Sequence, residues 1–251
     1  MLAVISPSKT QDFGEIKITE FSLTRQIDES VCLINILKTK SMAEISNLMS
    51  ISDNLSSLNY DRFQNFHLPF SLDNSKQALF AFKGDVYSGI DAGCLTTDDL
   101  SFAQDNLRIL SGLDGVIGPL DLIQGYRLEM STKLANSKGN NLYHFWGDKI
   151  SKVLNSDESD VIINLASNEY FKGIDKKSLD AKIINITFKE YKIDKYKIVG
   201  IYAKRARGAM VNFIITNRID NPESLKLFDV GGYVFRDEFS DESNFIFTRG
   251  N

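Results

Sequence analysis

The chain has 251 residues, 43% hydrophobic and 25% charged, with only 4 Pro and 16 Gly. That balance excludes a disordered, collagen-like or low-complexity polymer, and a chain of this length buries enough surface to fold without a metal or disulfide staple. Its 29 Lys and Arg against 33 Asp and Glu leave a net charge of −4, which as a total argues against a nucleic-acid partner.

Two cysteines, Cys32 and Cys94, and two histidines, His67 and His144, lack any metal-ligand spacing, so no disulfide framework, metal site or cofactor is expected. No apolar run approaches the roughly 18 to 20 residues of a membrane span, and the Met1-Leu2-Ala3-Val4-Ile5-Ser6 start lacks the flanks of a signal peptide. A cytoplasmic protein is the expectation.

In chain order, Leu2 to Ile5 reads as a buried strand that stops at Ser6-Pro7. Ile27 to Leu37 has helical spacing, and Met42 to Leu58 reads as helix broken near Ser52-Asp53. Leu79 to Phe82 reads as a second buried strand. Thr96-Thr97-Asp98-Asp99 starts a helix, because hydroxyls cap free N–H groups and carboxylates suit the positive dipole end. Leu100, Ala103, Leu107 and Leu110 carry that helix to Leu110. Asn141 to Leu154 reads as one amphipathic helix, Val161 to Leu165 as a third apolar strand, and Lys182 to Phe188 with Tyr196 to Ile201 as strands around a lysine-rich turn. A helix from about Ala203 to Arg218 and a hairpin of Tyr233 to Phe235 with Phe245 to Phe247 complete the chain. Strands and helices alternate without a linker or repeat, which predicts a single mixed α/β domain over residues 1–251.

The charge is unevenly spread. Lys172 to Arg207 carries +7, the remainder to Asn251 carries −3, and Met1 to Phe171 carries −8. Such segregation is either a solvated lysine-rich hairpin or the footprint of an anionic partner. Lys204, Arg205 and Arg207 fall at the predicted start of a helix, against the dipole preference, which with Gly208 suggests an anion cradle.

Three polar loops follow the three apolar strands: Ser6-Pro7-Ser8-Lys9-Thr10, Lys83-Gly84-Asp85-Val86-Tyr87 and Ser167-Asn168-Glu169-Tyr170. Open α/β sheets bind ligands at the carboxyl ends of strands. These loops could therefore converge, with Lys9 or Lys83 on an anion and Asp85 or Glu169 in proton transfer, or could be ordinary caps and turns. Ser111-Gly112-Leu113-Asp114-Gly115-Val116 reads either as a helix-hairpin-helix turn, whose backbone N–H groups reach a phosphate, or as simple helix termination.

Taken together these stretches, with Pro119-Leu120-Asp121-Leu122, Tyr126-Arg127-Leu128-Glu129-Met130, Phe145-Trp146-Gly147-Asp148, Asn164-Leu165-Ala166-Ser167 and Tyr202-Ala203-Lys204-Arg205-Ala206-Arg207-Gly208, resemble the YaaA-like family of bacterial peroxide-stress proteins over the whole chain. The resemblance implies a cantaloupe-like fold of mixed sheet and surrounding helices, a helix-hairpin-helix element and a basic cleft that binds double-stranded or bulged DNA. It also implies a role in limiting iron-dependent oxidative damage. By position, the cleft cations are Lys9, Lys83, Arg108, Arg127, Lys204, Arg205 and Arg207, and the hairpin is Ser111 to Val116. Asp114, Gly118 and Gly125 depart from the residues usual in the family, which weakens the expected hairpin contact with DNA. The alternative function is an enzyme acting at the glycosidic bond of a nucleotide-like ligand in the same cleft.

Overall fold

The apolar runs that begin at Leu2 and Val161 become parallel strands of an 8-stranded mixed sheet in the computed structural model, which describes residues 1–250. Leu2–Ile5 is buried at every position, as a strand covered on both faces must be. It pairs in parallel with Leu107–Ser111 on one side and Val161–Asn164 on the other. Val161–Asn164 pairs in parallel with Lys182–Lys192, and that strand with Asn244–Arg249. Numbered along the chain, these five strands lie in the doubly wound order 2-1-3-4-5, which reverses between the first and third. Gly115–Ile117, Lys195–Lys197 and Val234–Phe235 add antiparallel pairings. The expected mixed α/β fold in one unit is what the chain adopts.

Helix boundaries follow local chemistry. Met42–Met49 opens on a Ser41–Glu44 capping box, and Thr97–Asn106 on one formed by Thr96 and Asp99. Those cap bonds and the Arg218 guanidinium hold the Asp99 carboxyl down at about 2. Asn141 to Leu154 is two helices, Leu142–Trp146 and Lys149–Asn155, because Gly147 at φ 50 stops the first. Ala78–Ala81 is a buried helical turn rather than the expected strand.

The helix expected to run to Leu110 ends at Asn106, and Leu107–Ser111 is a fully buried strand. Ser111 to Val116 is therefore a β-turn region inside the core, not a helix-hairpin-helix element. The apolar run Ile109-Leu110 serves the sheet, since Ile109 is in register with Ile5. The turn's glycines make room for protein: a Cβ on Gly112 would fall 2.2 Å from the Leu128 carbonyl oxygen, and one on Gly115, at φ 69, 2.7 Å from the Trp146 ring.

The basic helix, Gly200–Thr216, crosses Asp85–Ile90 at very short range. A Cβ on Gly208 would lie 1.9 Å from the Val86 carbonyl oxygen, and one on Gly89 2.4 Å from that of Arg205. Gly208 is thus a helix-crossing residue and not part of a phosphate cradle.

Candidate functional site

The strand order reverses between Leu2–Ile5 and Val161–Asn164, and the loops after these two strands meet there. Ser167 N–H donates to Ser6 Oγ at 2.8 Å, and Ser6 Oγ lies 3.2 Å from Ser167 Oγ. Thr10–Gln11 pairs antiparallel with Phe82–Lys83, which holds the Lys9 and Lys83 loops side by side. Gly84, at φ 121, lets the second loop approach Ser8, since a Cβ there would stand 3.2 Å from Ser8 Oγ. Tyr87 OH donates to the Ser6 carbonyl at 3.1 Å from beneath.

The result is a cleft of about 440 Å³ at the crevice where doubly wound sheets bind ligands. Lys9, Lys83, Asp85, Glu169, Lys204 and Arg207 line it, with Ser6, Ser8 and Ser167 between them. Two other cavities, of about 380 and 450 Å³, lie elsewhere. The first is bordered by Glu223, Asp237, Asp241 and Glu242 against Lys182 and Lys226, both of which are paired with carboxylates, so its net charge is negative.

Within the cleft the cations are not equivalent. Lys9 Nζ is 2.7 Å from Glu129, and Lys83 Nζ is 3.6 Å from Asp12. Glu169 accepts bonds from Ser131 N–H at 3.2 Å and Ser131 Oγ at 2.8 Å. Lys204 and Arg207, three residues apart on one helical face, pair with no carboxylate among the described residues. Arg207 is half-buried, and loss of water pulls its guanidinium below the ordinary arginine value. A partly desolvated cation without a counter-ion favours an anionic ligand.

Three positions expected from the sequence lie elsewhere. Arg205 lines the 450 Å³ cavity and pairs at 3.2 Å with Asp85 of the cleft, so the pair forms the wall between the two. Arg127 sits in an adjoining groove with Tyr126 and Tyr170, its NH2 group 3.1 Å from Glu129. Arg108 is buried and forked onto Asp157 at 2.8 and 2.9 Å, so it serves the core and not the cleft. The expected anion cradle also shifts: the helix begins at Gly200, and Ala203 N–H already donates to Val199, so Lys204 lies beyond the free N–H groups. Ser167, Tyr87 and Tyr170 of the cleft wall belong to the loops expected to converge, but the sequence assigns their side chains no role there.

Asp157 also takes Arg25 at 2.9 Å. Asp157→Ala strands the Arg108 charge in the interior and should cost about 3–5 kcal/mol in urea unfolding. A loss within experimental error would contradict a structural role for this pair.

The buried Asp114 accepts bonds from Ser30 and Ser111, each at 3.0 Å. Burial outweighs those bonds and pushes its carboxyl up to about 6. The folded state then holds the proton more tightly than the unfolded chain. The stabilisation is complete below pH ~4 and lost as pH rises through 6, a change of roughly 3 kcal/mol. Relative to Asp114→Asn, the wild type should lose that much between pH 4 and 7.5; parallel pH profiles would refute the assignment.

A doubly wound sheet with a crevice at its switch point, lined by Lys9, Lys83, Lys204 and Arg207, defines the chain as an α/β protein. The chain belongs to the peroxide stress protein YaaA family, whose model matches residues 1–239. It is 49% identical to a UPF0246 protein of Alteromonas mediterranea over 99% of this chain and 98% of that protein. UPF0246 proteins of Hahella chejuensis and Acaryochloris marina are also 49% identical, over 99% of this chain and 99% and 100% of their own lengths.

Proposed function

We propose that this peroxide-stress protein binds DNA, preferring bulged or otherwise distorted duplex, and shields it from iron-dependent oxidation. The observation that carries this reading is the unneutralised pair Lys204 and Arg207 in a cleft at the carboxyl edge of the sheet. A cleft of about 440 Å³ is sized for one nucleotide rather than for a duplex. The reading therefore has the duplex lying across the mouth, with a displaced nucleotide entering. Fluorescence anisotropy with plain and bulged duplexes should give a log K that falls linearly with log salt, at about −0.9 per phosphate contacted. No complex with either duplex at low salt would sink the reading. Shielding is checked by strand scission with ferrous iron and peroxide, which should fall as the DNA is saturated.

The size of the cleft and its carboxylates favour a second reading, an enzyme cleaving or exchanging the glycosidic bond of the displaced nucleotide. Glu169 or Asp85 would act in proton transfer, with Lys9 and Arg207 on phosphate. Release of a free base from bulged DNA should then drop at least 100-fold in Glu169→Gln. Unchanged release would exclude Glu169.

A further inference from the structure

The long strand Lys182–Lys192 outruns Val161–Asn164 by seven residues on the edge where the cleft opens, while Asn244–Arg249 on its other side follows it as far as Glu190. Val4 is level with Asn164 and Asn164 with Asn185, so Leu2–Ile5 ends level with Ile186 while the long strand continues to Lys192. At the rise of a β-strand its tip stands roughly 20 Å beyond the end of Leu2–Ile5, two strands over, and two residues beyond Glu190, where the neighbouring Asn244–Arg249 ends. There the chain turns through Ile193 and Asp194, and Lys195 pairs back onto Lys192.

The tip carries an unusual combination of groups. Lys192, Lys195 and Lys197 are exposed and form no ion pair among the described residues, and Ile193 is 86% exposed between them. Both central residues have left-handed backbones, Ile193 at φ 49 and Asp194 at φ 60. Two-residue turns of that kind favour Asn-Gly or Asp-Gly, and a β-branched side chain in the first position is strained. Asn at 193 would hold the same turn with less strain and without the exposed apolar surface. The chain instead keeps an aliphatic wedge at the carboxyl edge of the sheet, beside the exposed Asp194 and between Lys192 and Lys195, so that lysines outnumber the one carboxylate of the turn.

We propose that the Lys192–Lys195 turn is a probe for unstacked DNA. Ile193 inserts at a bulged or weakened base step, while Lys192, Lys195 and Lys197 contact the flanking phosphates. Aliphatic wedges flanked by cations enter base steps in this way in proteins that kink DNA. The inference rests on DNA as the partner of the cleft, and it adds a second contact that discriminates distorted from regular duplex.

The test compares the full-length wild type, Ile193→Asn and Lys192→Ala/Lys195→Ala on plain duplex and on a bulged duplex with 2-aminopurine beside the bulge. Wild type should raise the 2-aminopurine fluorescence. Ile193→Asn should melt about 2–4 °C higher as strain is relieved, yet bind the bulged duplex about tenfold more weakly and lose the fluorescence rise. Lys192→Ala/Lys195→Ala should lower the salt slope by about 2 on either DNA. Unchanged bulge affinity and fluorescence in Ile193→Asn overturns the probe, and the cleft reading stands if Lys204→Ala/Arg207→Ala still loses binding. Absence of wild-type binding to any DNA removes both. Ile193-dependent sedimentation with phosphatidylserine vesicles, without an effect on DNA, would assign the tip to a lipid surface and overturn the proposal.

Discussion

Gly208→Ala is expected to destabilise the protein by about 3 kcal/mol, lowering Tm by roughly 6–12 °C. The added methyl would lie 1.9 Å from the Val86 carbonyl oxygen, and backbone cannot yield as a side-chain end does. The helices Asp85–Ile90 and Gly200–Thr216 must part or tilt to admit it. Gly200→Ala supplies the control: it sits on the same helix, meets nothing within 4 Å, and should leave Tm unchanged or slightly raised. A Gly208→Ala protein as stable as the wild type would mean that the crossing is looser than the geometry states. The effect should reach the cleft, because this crossing fixes Lys204 and Arg207 opposite Asp85.

Lys204→Ala/Arg207→Ala is expected to weaken DNA binding roughly 10- to 100-fold near 0.1 M salt and to reduce the salt slope by about 2 units. The two cations sit on one face, have no carboxylate to satisfy them, and would each release a condensed counter-ion on meeting a phosphate. Stability should hardly change, since Lys204 is exposed and Arg207 leaves no partner behind. Lys182→Ala removes the same type of charge at the amino edge of the sheet, beside Glu242 at 3.5 Å. It should leave the affinity close to that of the wild type, and equal losses from the two variants would reduce the cleft to a nonspecific charge effect.

Two of the parallel strands, Leu2–Ile5 and Val161–Asn164, are legible in the sequence to within a residue of their ends because strands buried on both faces read as unbroken apolar runs. The loops after them were legible for the same reason, as polar residues directly following such runs. Leu107 to Leu110 was ambiguous in principle: its leucines continue a helical period from Leu100 and equally form a strand, and the partner that decides, Leu2–Ile5, is about a hundred residues away. The hairpin glycines misled because close approach to a phosphate and close approach to Leu128 or Trp146 require the same missing side chain. The cations could not be ranked from sequence, since what silences Arg108 is Asp157 and what silences Lys9 is Glu129, both distant along the chain. Free charge is a tertiary property.

The ion pairs of Lys9 with Glu129 and Lys83 with Asp12 give the cleft an order of engagement. In the proposed binding mode, an incoming phosphate would meet Lys204 and Arg207 without displacing anything, but would recruit Lys9 and Lys83 only by displacing Glu129 and Asp12. Capture would then separate into a rapid docking step and a slower partner exchange. An isolated phosphate has little to offer the second step. Under the proposed DNA binding, a polyanion already tethered by the first step would supply its next charge at high effective concentration, so the cleft would select for chain length.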